Sequence, residues 1–424
     1  MLAPLALTVA TTLVSADLDA SERAIVAHVA AHADEAVALV TETSRINSGT
    51  LNPAGVRKVG EVFRKRLAGI GFDTRWITLP KRMKRGGHLF ATRRGTRGQR
   101  ILLIGHLDTV FEPDDPFQRV KRDGKFLVGP GVYDMKGGDV VILAALEALH
   151  AAKALDDVTI TVALIGDEEK PGKPVERTRR ALIDAAKISD VALGFEPGMG
   201  EAEVSIARRG SSGWRARITA PGGHSSGIGG AMGYGAIYEA ARFLEATRAW
   251  FAAHEGLTIN PGVVAGGTDA KLNGTNTHGE ASGKSNKLGA AVEISGDLRF
   301  LSEKQKEEAR AAMKKIASAA LPKTKVELEF TDGYPAMSPT DANRALFDRL
   351  AGVNADLGRG KLGLVPPSKR GAADISFVAP IVKASLAGLG PAGSGAHTRK
   401  ERMDIAHLRV ATERAALLIY RLTR

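Results

Sequence analysis

A buried strand that ends in polar side chains is the feature that most constrains the fold of this chain. Residues 101–104 read Ile-Leu-Leu-Ile, and Gly105 ends this apolar run. An uninterrupted run of this kind is typical of a parallel strand that is covered on both faces. His106 and Asp108 follow it directly, at the carboxyl end of the strand, where open α/β sheets bind their ligands. The run therefore predicts an α/β fold with a polar site at one edge of a mostly parallel sheet.

Strands and helices alternate on both sides of this run, as an α/β domain requires. Strand patterns lie at residues 74–79, 88–92, 158–165 and 191–195, and helix patterns at 21–45, 53–68, 139–152, 175–187, 341–356 and 405–422. Between Gly210 and Thr331 the predicted order is β-α-β-β-α-β, which is the ferredoxin-like pattern. We therefore predict a discontinuous α/β domain, residues 17–209 and 332–424, interrupted by an inserted α+β domain at residues 210–331.

The first residues have the composition of an export signal. Residues 2–14 are apolar and alanine-rich, and Val14-Ser15-Ala16 is typical of a signal-peptidase site, but no Lys or Arg precedes the apolar run. We interpret residues 1–16 as a signal peptide whose start codon was assigned wrongly. This predicts a periplasmic or secreted protein, the alternative being a cytoplasmic one. No later segment is long and apolar enough to predict a membrane span.

Charge and cysteine content exclude several kinds of site. The formal net charge is +12, which by itself would suit a nucleic-acid-binding protein. Many of the basic residues, however, lie in two loop-like stretches, 81–85 and 93–100, without interleaved aromatic residues, and such stretches are typical of solvated surface. The chain has no cysteine. Disulfides and thiolate chemistry are therefore excluded, and any metal must be held by histidine and carboxylate side chains.

Asp134 lies at the centre of a glycine-rich stretch, residues 129–138, that reads GPGVYDMKGG and opens a predicted helix. A phosphate-binding loop is the obvious alternative. Neither G-x-x-x-x-G-K-[ST] nor G-x-G-x-x-G occurs here, and the central carboxylate would repel a phosphate. The stretch is better suited to binding a cation.

Further polar side chains follow other predicted strands or lie in tight turns. Asp167-Glu168-Glu169 follows the strand at 158–165, Glu196 follows the strand at 191–195, and His397 lies in the glycine-rich turn 393–398. Taken singly, each could be a solvated residue at a strand end. Adjacent carboxylates repel each other unless a cation lies among them or one is protonated. Together these residues predict a metal site at the carboxyl edge of the sheet, with Asp108 placed behind His106 to accept its second ring N–H.

Three motifs, G-H-x-D-T-V at residues 105–110, G-P-G-x-x-D-x-K-G-G at 129–138 and D-E-E at 167–169, occur together and in order. In these motifs the chain from about residue 38 onward resembles the dinuclear zinc hydrolases that include glutamate carboxypeptidase, aminoacylase, acetylornithine deacetylase and succinyl-diaminopimelate desuccinylase. It is most similar to the glutamate carboxypeptidase branch. The resemblance implies a three-layer α/β/α zinc-binding catalytic domain and an inserted ferredoxin-like lid and dimerisation domain, and thus a homodimer.

The resemblance also implies roles for individual residues. The implied metal ligands are His106, Asp134, Glu169, Glu196 and His397. Asp134 would bridge two Zn²⁺ ions, His106 and Glu196 would complete the shell of one, and Glu169 and His397 that of the other. Asp108 would orient His106, and Glu168 would be the general base. Two such ions, about 3.5–4 Å apart, can share a hydroxide and polarise a carbonyl, and Co²⁺ or Mn²⁺ also fits such ligands.

The predicted inserted domain carries a second set of candidates. Residues 223–227 match the serine-nucleophile motif G-x-S-x-G, but a glycine-rich turn surrounds them instead of the required strand and helix. By resemblance, His224 instead reaches the partner subunit's active site and stabilises the oxyanion. Asn286 and Arg299 match positions that contact the substrate, with Arg299 suited to a carboxylate. The alternative for these two is an exposed loop amide and an exposed strand arginine.

Tyr334 differs from the residue that the resemblance implies at its position. Bacterial glutamate carboxypeptidases have at this position an arginine that binds the terminal carboxylate of the substrate, and tyrosine cannot form that bidentate ion pair. We therefore predict an enzyme that cleaves the amide bond of a small peptide or an N-acyl amino acid, without assigning glutamate as the released residue. A metal-dependent dipeptidase or an aminoacylase-type deacetylase is the alternative within the enzymes. A non-catalytic protein that binds amino-acid conjugates is the alternative of another class, and Glu168 beside a complete ligand set argues against it.

Overall fold

The structure, a computed structural model, describes residues 18–200 and 202–424. The predicted signal peptide, residues 1–16, lies outside the described residues. Two compact units divide the chain. The first comprises the described residues up to Val204 together with Thr340–Val365 and Ile381–Arg424, and the second comprises Ser205–Pro339 and Pro366–Pro380.

The second unit is larger than the predicted insertion at 210–331, because tertiary hydrogen bonds extend it at both ends. The backbone N–H of Arg208 donates to the carbonyl of Met337 at 2.9 Å, and the reverse bond is 3.0 Å long. The side chain of Arg208 donates to the carbonyl of Gly371 at 2.7 Å. Residues 366–380, which the sequence assigned to the catalytic domain, therefore belong to the second unit.

The helices of the described chain are α1 (Ala20–Ala31), α2 (Ala33–Arg45), α3 (Pro53–Gly69), α4 (Lys136–Ala151), α5 (Val175–Thr178), α6 (Arg180–Ala186), α7 (Gly235–Phe251), α8 (Glu303–Ser318), α9 (Asp341–Asp356), α10 (Ile375–Val378) and α11 (Ile405–Leu422). The strands are β1 (Asp73–Ile77), β2 (His88–Arg93), β3 (Arg97–His106), β4 (Lys121–Asp123), β5 (Phe126–Val128), β6 (Val158–Ile165), β7 (Val191–Gly194), β8 (Glu203–Val204), β9 (Gly210–Thr219), β10 (Thr258–Gly267), β11 (Asp269–Leu272), β12 (Gly279–Ser282), β13 (Ala291–Phe300), β14 (Lys325–Asp332), β15 (Gly363–Leu364), β16 (Ala384–Leu386), β17 (Gly393–Ser394) and β18 (Arg402–Asp404).

The main sheet of the first unit has the strand order β1-β2-β6-β3-β7-β16. Strands β6, β3, β7 and β16 are parallel, and β2 runs antiparallel to β6. Residues 101–103 of β3 have no exposed surface, so both faces of this central strand are covered. The predicted α/β fold with a mostly parallel sheet is therefore confirmed.

The register of the sheet brings three strand ends to the same level. His106 pairs with Ile165 at the end of β6, and Ile104 pairs with Gly194 at the end of β7. Helix α4 packs closely against this edge, since a Cβ atom on Gly138 would lie 2.0 Å from the carbonyl oxygen of Phe195. The polar residues that follow β3, β6 and β7 therefore meet at one edge, as parallel topology requires.

A smaller sheet, of strand order β17-β18-β5-β4, connects the glycine-rich stretch to the end of the chain. Met403 in β18 pairs with Leu127 in β5. The pairing brings the turn that contains His397 next to the stretch that contains Asp134. The sheet is not apparent in the sequence, because its strands have only two or three residues each and show no periodicity.

The helix predicted at residues 21–45 is two helices, α1 and α2, which meet at an angle of 53°. No Gly or Pro marks the break at His32. Each helix buries its own apolar stripe, which includes Val29 in α1 and Leu39 in α2. Within residues 18–200 and 202–424 no single helix is long and apolar enough to cross a membrane, although α1 and α2 counted together reach that length and hydropathy.

The second unit contains an antiparallel sheet of order β10-β13-β9-β14, with a core formed mainly by this sheet, α7 and α8. Trp214 and Ile218 from β9 are buried there with Phe243 from α7 and Met313 from α8. The element order and the strand order confirm the predicted ferredoxin-like pattern. The segment between β10 and β13 forms the hairpin β11–β12.

Candidate metal centre

His106 ends β3 with a defined ring orientation. Its Nδ1 lies 3.0 Å from the backbone carbonyl oxygen of Asp108, and because a carbonyl can only accept, Nδ1 carries the proton. The Nε2 atom is therefore the free donor atom for a metal. It lies 3.3 Å from Oδ1 of Asp134 and 3.7 Å from Oε1 of Glu196, and only 2% of the side chain is exposed.

Asp134 presents one carboxylate oxygen to each of two histidines. Its Oδ1 lies near His106, and its Oδ2 lies 3.1 Å from Nε2 of His397. The peptide bond between Asp134 and Met135 is cis. A carboxylate whose two oxygens face two different histidines can bind one cation with each oxygen. This is the arrangement that a bridging ligand requires.

Glu169 and His397 complete this side of the cluster. Oε2 of Glu169 lies 3.0 Å from Nε2 of His397. His397 lies in a tight turn, in which Gly395 (78°) and His397 itself (61°) have positive φ angles. Among the described residues, Oε1 of Glu169 is buried without a hydrogen-bond partner. A buried carboxylate oxygen that lacks a donor is costly unless a cation neutralises it. The donor set therefore fits a metal ion.

The candidate ligands form two overlapping groups. His106, Asp134 and Glu169 offer ligand atoms that all lie within 4.8 Å of one another, and so do His106, Glu168 and Glu196. The structure thus brings together the five predicted ligands and the predicted base. Glu168 is as close to the cluster as the ligands are, so distance alone does not distinguish a base from a ligand.

The ionisation behaviour of the cluster reflects its surplus of negative charge. Hydrogen bonds to Asp134 and Glu169 raise the pKa of His397 to about 11. Burial, together with the charge of Asp134, raises the pKa of Glu169 to about 7. Burial works against a charged His106, but its neighbouring carboxylates raise its pKa well above the usual value. A site that attracts protons so strongly also favours metal cations.

The carboxylate of Asp108 has a different contact from the one that the sequence predicted. Its Oδ1 lies 3.6 Å from Nδ1 of His106, which is beyond hydrogen-bond distance. It accepts instead from the backbone N–H groups of Glu168 at 3.0 Å and Glu169 at 3.1 Å, and from the hydroxyl of Thr50 at 2.7 Å. The predicted carboxylate–imidazole bond is therefore wrong, and Asp108 holds the turn that presents Glu168 and Glu169.

Asp167, the first residue of the acidic run, is paired with a buried arginine. It forms an ion pair of 2.5 Å with Arg179, and neither side chain is exposed. The Arg179 position separates α5 from α6, so the helix predicted at 175–187 is interrupted where this arginine turns inward. Sequence reasoning missed Arg179, because it lies in the stretch Arg177-Thr-Arg-Arg180, which has the composition of a solvated surface.

Two further buried charged residues adjoin the ligands. The Nζ atom of Lys136 donates to the carbonyls of Thr43 and Ile46, each at 3.0 Å, and burial lowers its pKa to about 8. Glu401 has no exposed surface, and burial beside Asp134 raises its pKa to about 8. Lys136 belongs to the recognised glycine-rich motif, whereas Glu401 lies in a charged run that showed no functional signal.

The remaining predicted site residues lie in the second unit. The backbone N–H of Ser226 donates to Nδ1 of His224 at 3.2 Å. Since Nδ1 accepts, the proton of a neutral His224 is on Nε2. The carbonyl of Asn286 accepts from the N–H of Ser225 at 2.9 Å, so Asn286 adjoins His224. Arg299 pairs with Asp297 at 2.7 Å near the far end of β13, and the structure does not bring it to these two residues.

Tyr334 lies in the same unit, and its ring packs 4.9 Å from that of Phe377, at an angle of 58°. Its backbone pairs with Ser211, whose N–H donates to the carbonyl of Tyr334 at 2.8 Å. An aromatic pair therefore occupies the position at which the resemblance implies an arginine.

Known proteins resemble this chain in sequence and in structure. A family model described as peptidase family M20/M25/M40 matches residues 102–421. Carboxypeptidase G2 from Pseudomonas sp. (strain RS-16) is 29% identical over 386 residues, or 88% of this chain and 86% of that protein. The solved structure of aminopeptidase PepT from Bacillus cereus ATCC 10987 has a TM-score of 0.71 at 18% identity, covering 92% of this chain and 99% of that one. A dinuclear metal-binding peptidase of the M20 family from Bacillus subtilis has a TM-score of 0.63 at 12% identity, covering 93% and 99%.

Proposed function

Because the chain belongs to the M20/M25/M40 peptidase family and is thus a hydrolytic enzyme of metallopeptidase type, we propose that it is a dinuclear zinc amidohydrolase. In this proposal it cleaves a peptide or N-acyl amino acid bond in the manner of a carboxypeptidase. The observation that carries the proposal is the convergence of His106 and four carboxylates in two groups whose ligand atoms lie within 4.8 Å of one another. A second imidazole joins them, since Nε2 of His397 lies 3.1 Å from Asp134 and 3.0 Å from Glu169.

The residues proposed to hold two Zn²⁺ ions are His106, Asp134, Glu169, Glu196 and His397. Nitrogen and carboxylate donors without thiolates suit Zn²⁺, and Co²⁺ or Mn²⁺ can substitute in such a set. When bound, ions of this kind supply Lewis acidity, which polarises a carbonyl oxygen and lowers the pKa of water. The name of the Bacillus subtilis relative, a dinuclear metal-binding peptidase, supports the number of ions.

Glu168 is the proposed general base. It takes a proton from the attacking water and delivers it to the departing amine nitrogen. The bond from its backbone N–H to Asp108, 3.0 Å long, fixes the turn from which the side chain extends. A positioned carboxylate loses less conformational freedom in the transition state than a mobile one.

His224 is the proposed oxyanion donor. With Nδ1 occupied by the Ser226 amide, its Nε2–H can donate to the negative oxygen that develops on the scissile carbonyl. The resemblance implies that this histidine acts in the partner subunit's site, and we therefore propose a homodimer that forms through the second unit.

Tyr334 limits how the substrate's terminal carboxylate is bound. Its hydroxyl can donate one hydrogen bond, whereas an arginine would donate two in a bidentate pair. We therefore propose weaker dependence on a free terminal carboxylate than in the glutamate carboxypeptidases.

The central experiment measures amine release from a panel of dipeptides and N-acyl amino acids, with and without chelator. We expect chelator to abolish release and added Zn²⁺ to restore it, with about two Zn²⁺ bound per chain. Glu168→Gln should keep its metal and lose about 10²- to 10⁴-fold in turnover, whereas Glu176→Gln, an exposed carboxylate in α5, should behave as wild type. A metal-loaded protein that cleaves no member of the panel would contradict the proposal.

Two variants test the second unit. Tyr334→Arg should lower KM for substrates with a free terminal carboxylate and leave KM for the corresponding amidated substrates unchanged. Equal effects on both would exclude a role of position 334 in binding the terminal carboxylate. Mixing inactive His224→Ala with inactive Glu168→Ala should restore part of the activity, because one site of the mixed dimer then has both groups. Verified mixed dimers without activity would exclude action across subunits.

A further inference from the structure

Glu401 connects the two loops that carry Asp134 and His397. Its Oε1 accepts from the backbone N–H of Tyr133 at 2.9 Å and from that of Asp134 at 3.0 Å. The amide of Gly131 interacts with the same carboxyl group. Glu401 follows His397 by only four residues, but it lies 267 residues after Asp134. One side chain thus bridges ligand-bearing segments from distant parts of the sequence.

The backbone of Glu401 strengthens this connection. Its N–H donates to the carbonyl of Thr398 at 3.1 Å, which closes the turn beside His397. Its carbonyl accepts from the N–H of Gly129 at 3.3 Å. The next residue, Arg402, pairs with Val128 where β18 meets β5. The turn and the glycine-rich stretch are therefore attached both through main-chain bonds and through a buried carboxyl group.

The amides that donate to Glu401 take no part in the hydrogen bonds of α4. Tyr133 and Asp134 precede α4, which begins at Lys136, so helix hydrogen bonds do not use their N–H groups. A buried amide requires an acceptor, and leaving it without one is unfavourable. Without the Glu401 carboxyl group, the backbone at Asp134 would therefore rearrange. Because the two oxygens of Asp134 face different histidines, a single backbone shift would misplace both.

We propose that Glu401 is a positioning residue of the metal centre, which sets the separation between Asp134 and His397 and thereby the affinity for the ion that they share. This inference rests on the proposed dinuclear function. Its contribution is geometric: the side chain contacts the backbone of a ligand and no reacting atom. Partners of this kind, one step removed from the metal, commonly change metal affinity about 10- to 100-fold.

The test is a titration of the metal-free full-length protein with Co²⁺, followed by visible absorption, whose bands report coordination geometry. Glu401→Ala removes the acceptor, and Glu401→Asp retracts it by one methylene. Both should bind Co²⁺ about 10- to 100-fold more weakly and show altered absorption bands. Glu401→Gln keeps an oxygen acceptor for the two amides and should stay within about threefold of wild type with an unchanged spectrum.

Glu413→Ala is the matched control. Glu413 is similarly buried, with 1% exposed, but it accepts from Arg409 in its own helix, α11, and from Arg359, which follows α9. This variant should lower Tm and leave Co²⁺ affinity and spectrum unchanged. If Glu401→Ala does not fold, the Co²⁺ affinities and absorption bands of Glu401→Asp and Glu401→Gln are compared instead, and they test the inference. Wild-type affinity and bands in Glu401→Asp would overturn the inference while the metal centre stands, whereas failure of the wild type to bind Co²⁺ would overturn both.

Discussion

Replacement of Asp108 by asparagine tests how the turn of Glu168 and Glu169 is held. In the native protein Oδ1 accepts from the N–H of Glu168, and Oδ2 accepts from the N–H of Glu169 and the hydroxyl of Thr50. A carboxamide has one acceptor oxygen and one NH₂ group that can only donate. In either orientation the NH₂ group therefore faces a backbone N–H. The Thr50 hydroxyl can rotate to accept, but the amides of residues 168 and 169 cannot.

The magnitude follows from that one unsatisfied amide. A buried donor left without an acceptor costs about 1–3 kcal/mol. The turn can avoid this cost only by moving, which displaces Glu168 from the cluster. If the full cost appears in the transition state, kcat/KM of Asp108→Asn falls about 5- to 150-fold. The orientation of His106 should remain that of the wild type, because its ring proton is already bonded to a backbone carbonyl at 3.0 Å. Any loss of metal should therefore come from displacement of Glu169 and be accompanied by reduced turnover.

The assay combines kcat/KM on the best substrate of the panel with metal analysis of the same samples. Thr50→Val is the matched control, since it removes one bond to the same carboxylate and leaves both backbone amides satisfied, so its kcat/KM should fall less than that of Asp108→Asn. The reasoning fails if Asp108→Asn loses metal and has normal turnover per loaded site, because the carboxylate would then orient His106. It also fails if Asp108→Asn changes neither kcat/KM nor the metal content.

Three further outcomes are expected. Arg179→Met leaves the carboxylate of Asp167 buried and unpaired, which should lower the free energy of unfolding by about 3–5 kcal/mol in urea titrations; a loss below about 1 kcal/mol, the range of exposed pairs, would mean that the pair is not effectively buried. Burial lowers the pKa of His88 to about 4, so the unfolded chain binds its proton first as the pH falls, and stability should decline by about 3 kcal/mol from near pH 6.5 down to pH 4. His88→Gln should lack that part of the decline, and an equal slope in both proteins would contradict the assignment. Chelation should lower Tm, because ions that bind only the folded state stabilise it by about 2.7 kcal/mol at a concentration 100 times Kd; an unchanged Tm would argue against a metal centre.

Local patterns were sufficient for much of the fold. The strand at 158–165 and the helices at 341–356 and 405–422 have the predicted bounds. Thr340 and Asp404 are the N-cap residues of these helices, and their side chains accept from amides of the first turn. This signal is present in the sequence itself. The break at His32 had no such signal, because it depends on which neighbours α1 and α2 pack against.

The candidate ligands could also be located from the sequence, for a topological reason. His106, Glu168, Glu169 and Glu196 follow parallel strands, and the ends of parallel strands meet at one edge whatever the details of packing. The membership of the family and the class of enzyme, which the resemblance in the motifs implied, are confirmed, and so is the fold, which the alternation of strands and helices predicted. The separate roles of these residues stay predictions.

By itself the sequence determined which residue types lie at the edge of the sheet, since the periodicity of strands and the spacing of motifs are local properties. Only the tertiary structure decided how those residues are held. Asp108 binds the turn of Glu168 instead of the ring of His106, Asp167 binds Arg179, and Glu401 binds the amide of Asp134. Each of these bonds joins a side chain to a partner whose position depends on the path of a loop, and no periodic pattern records that path.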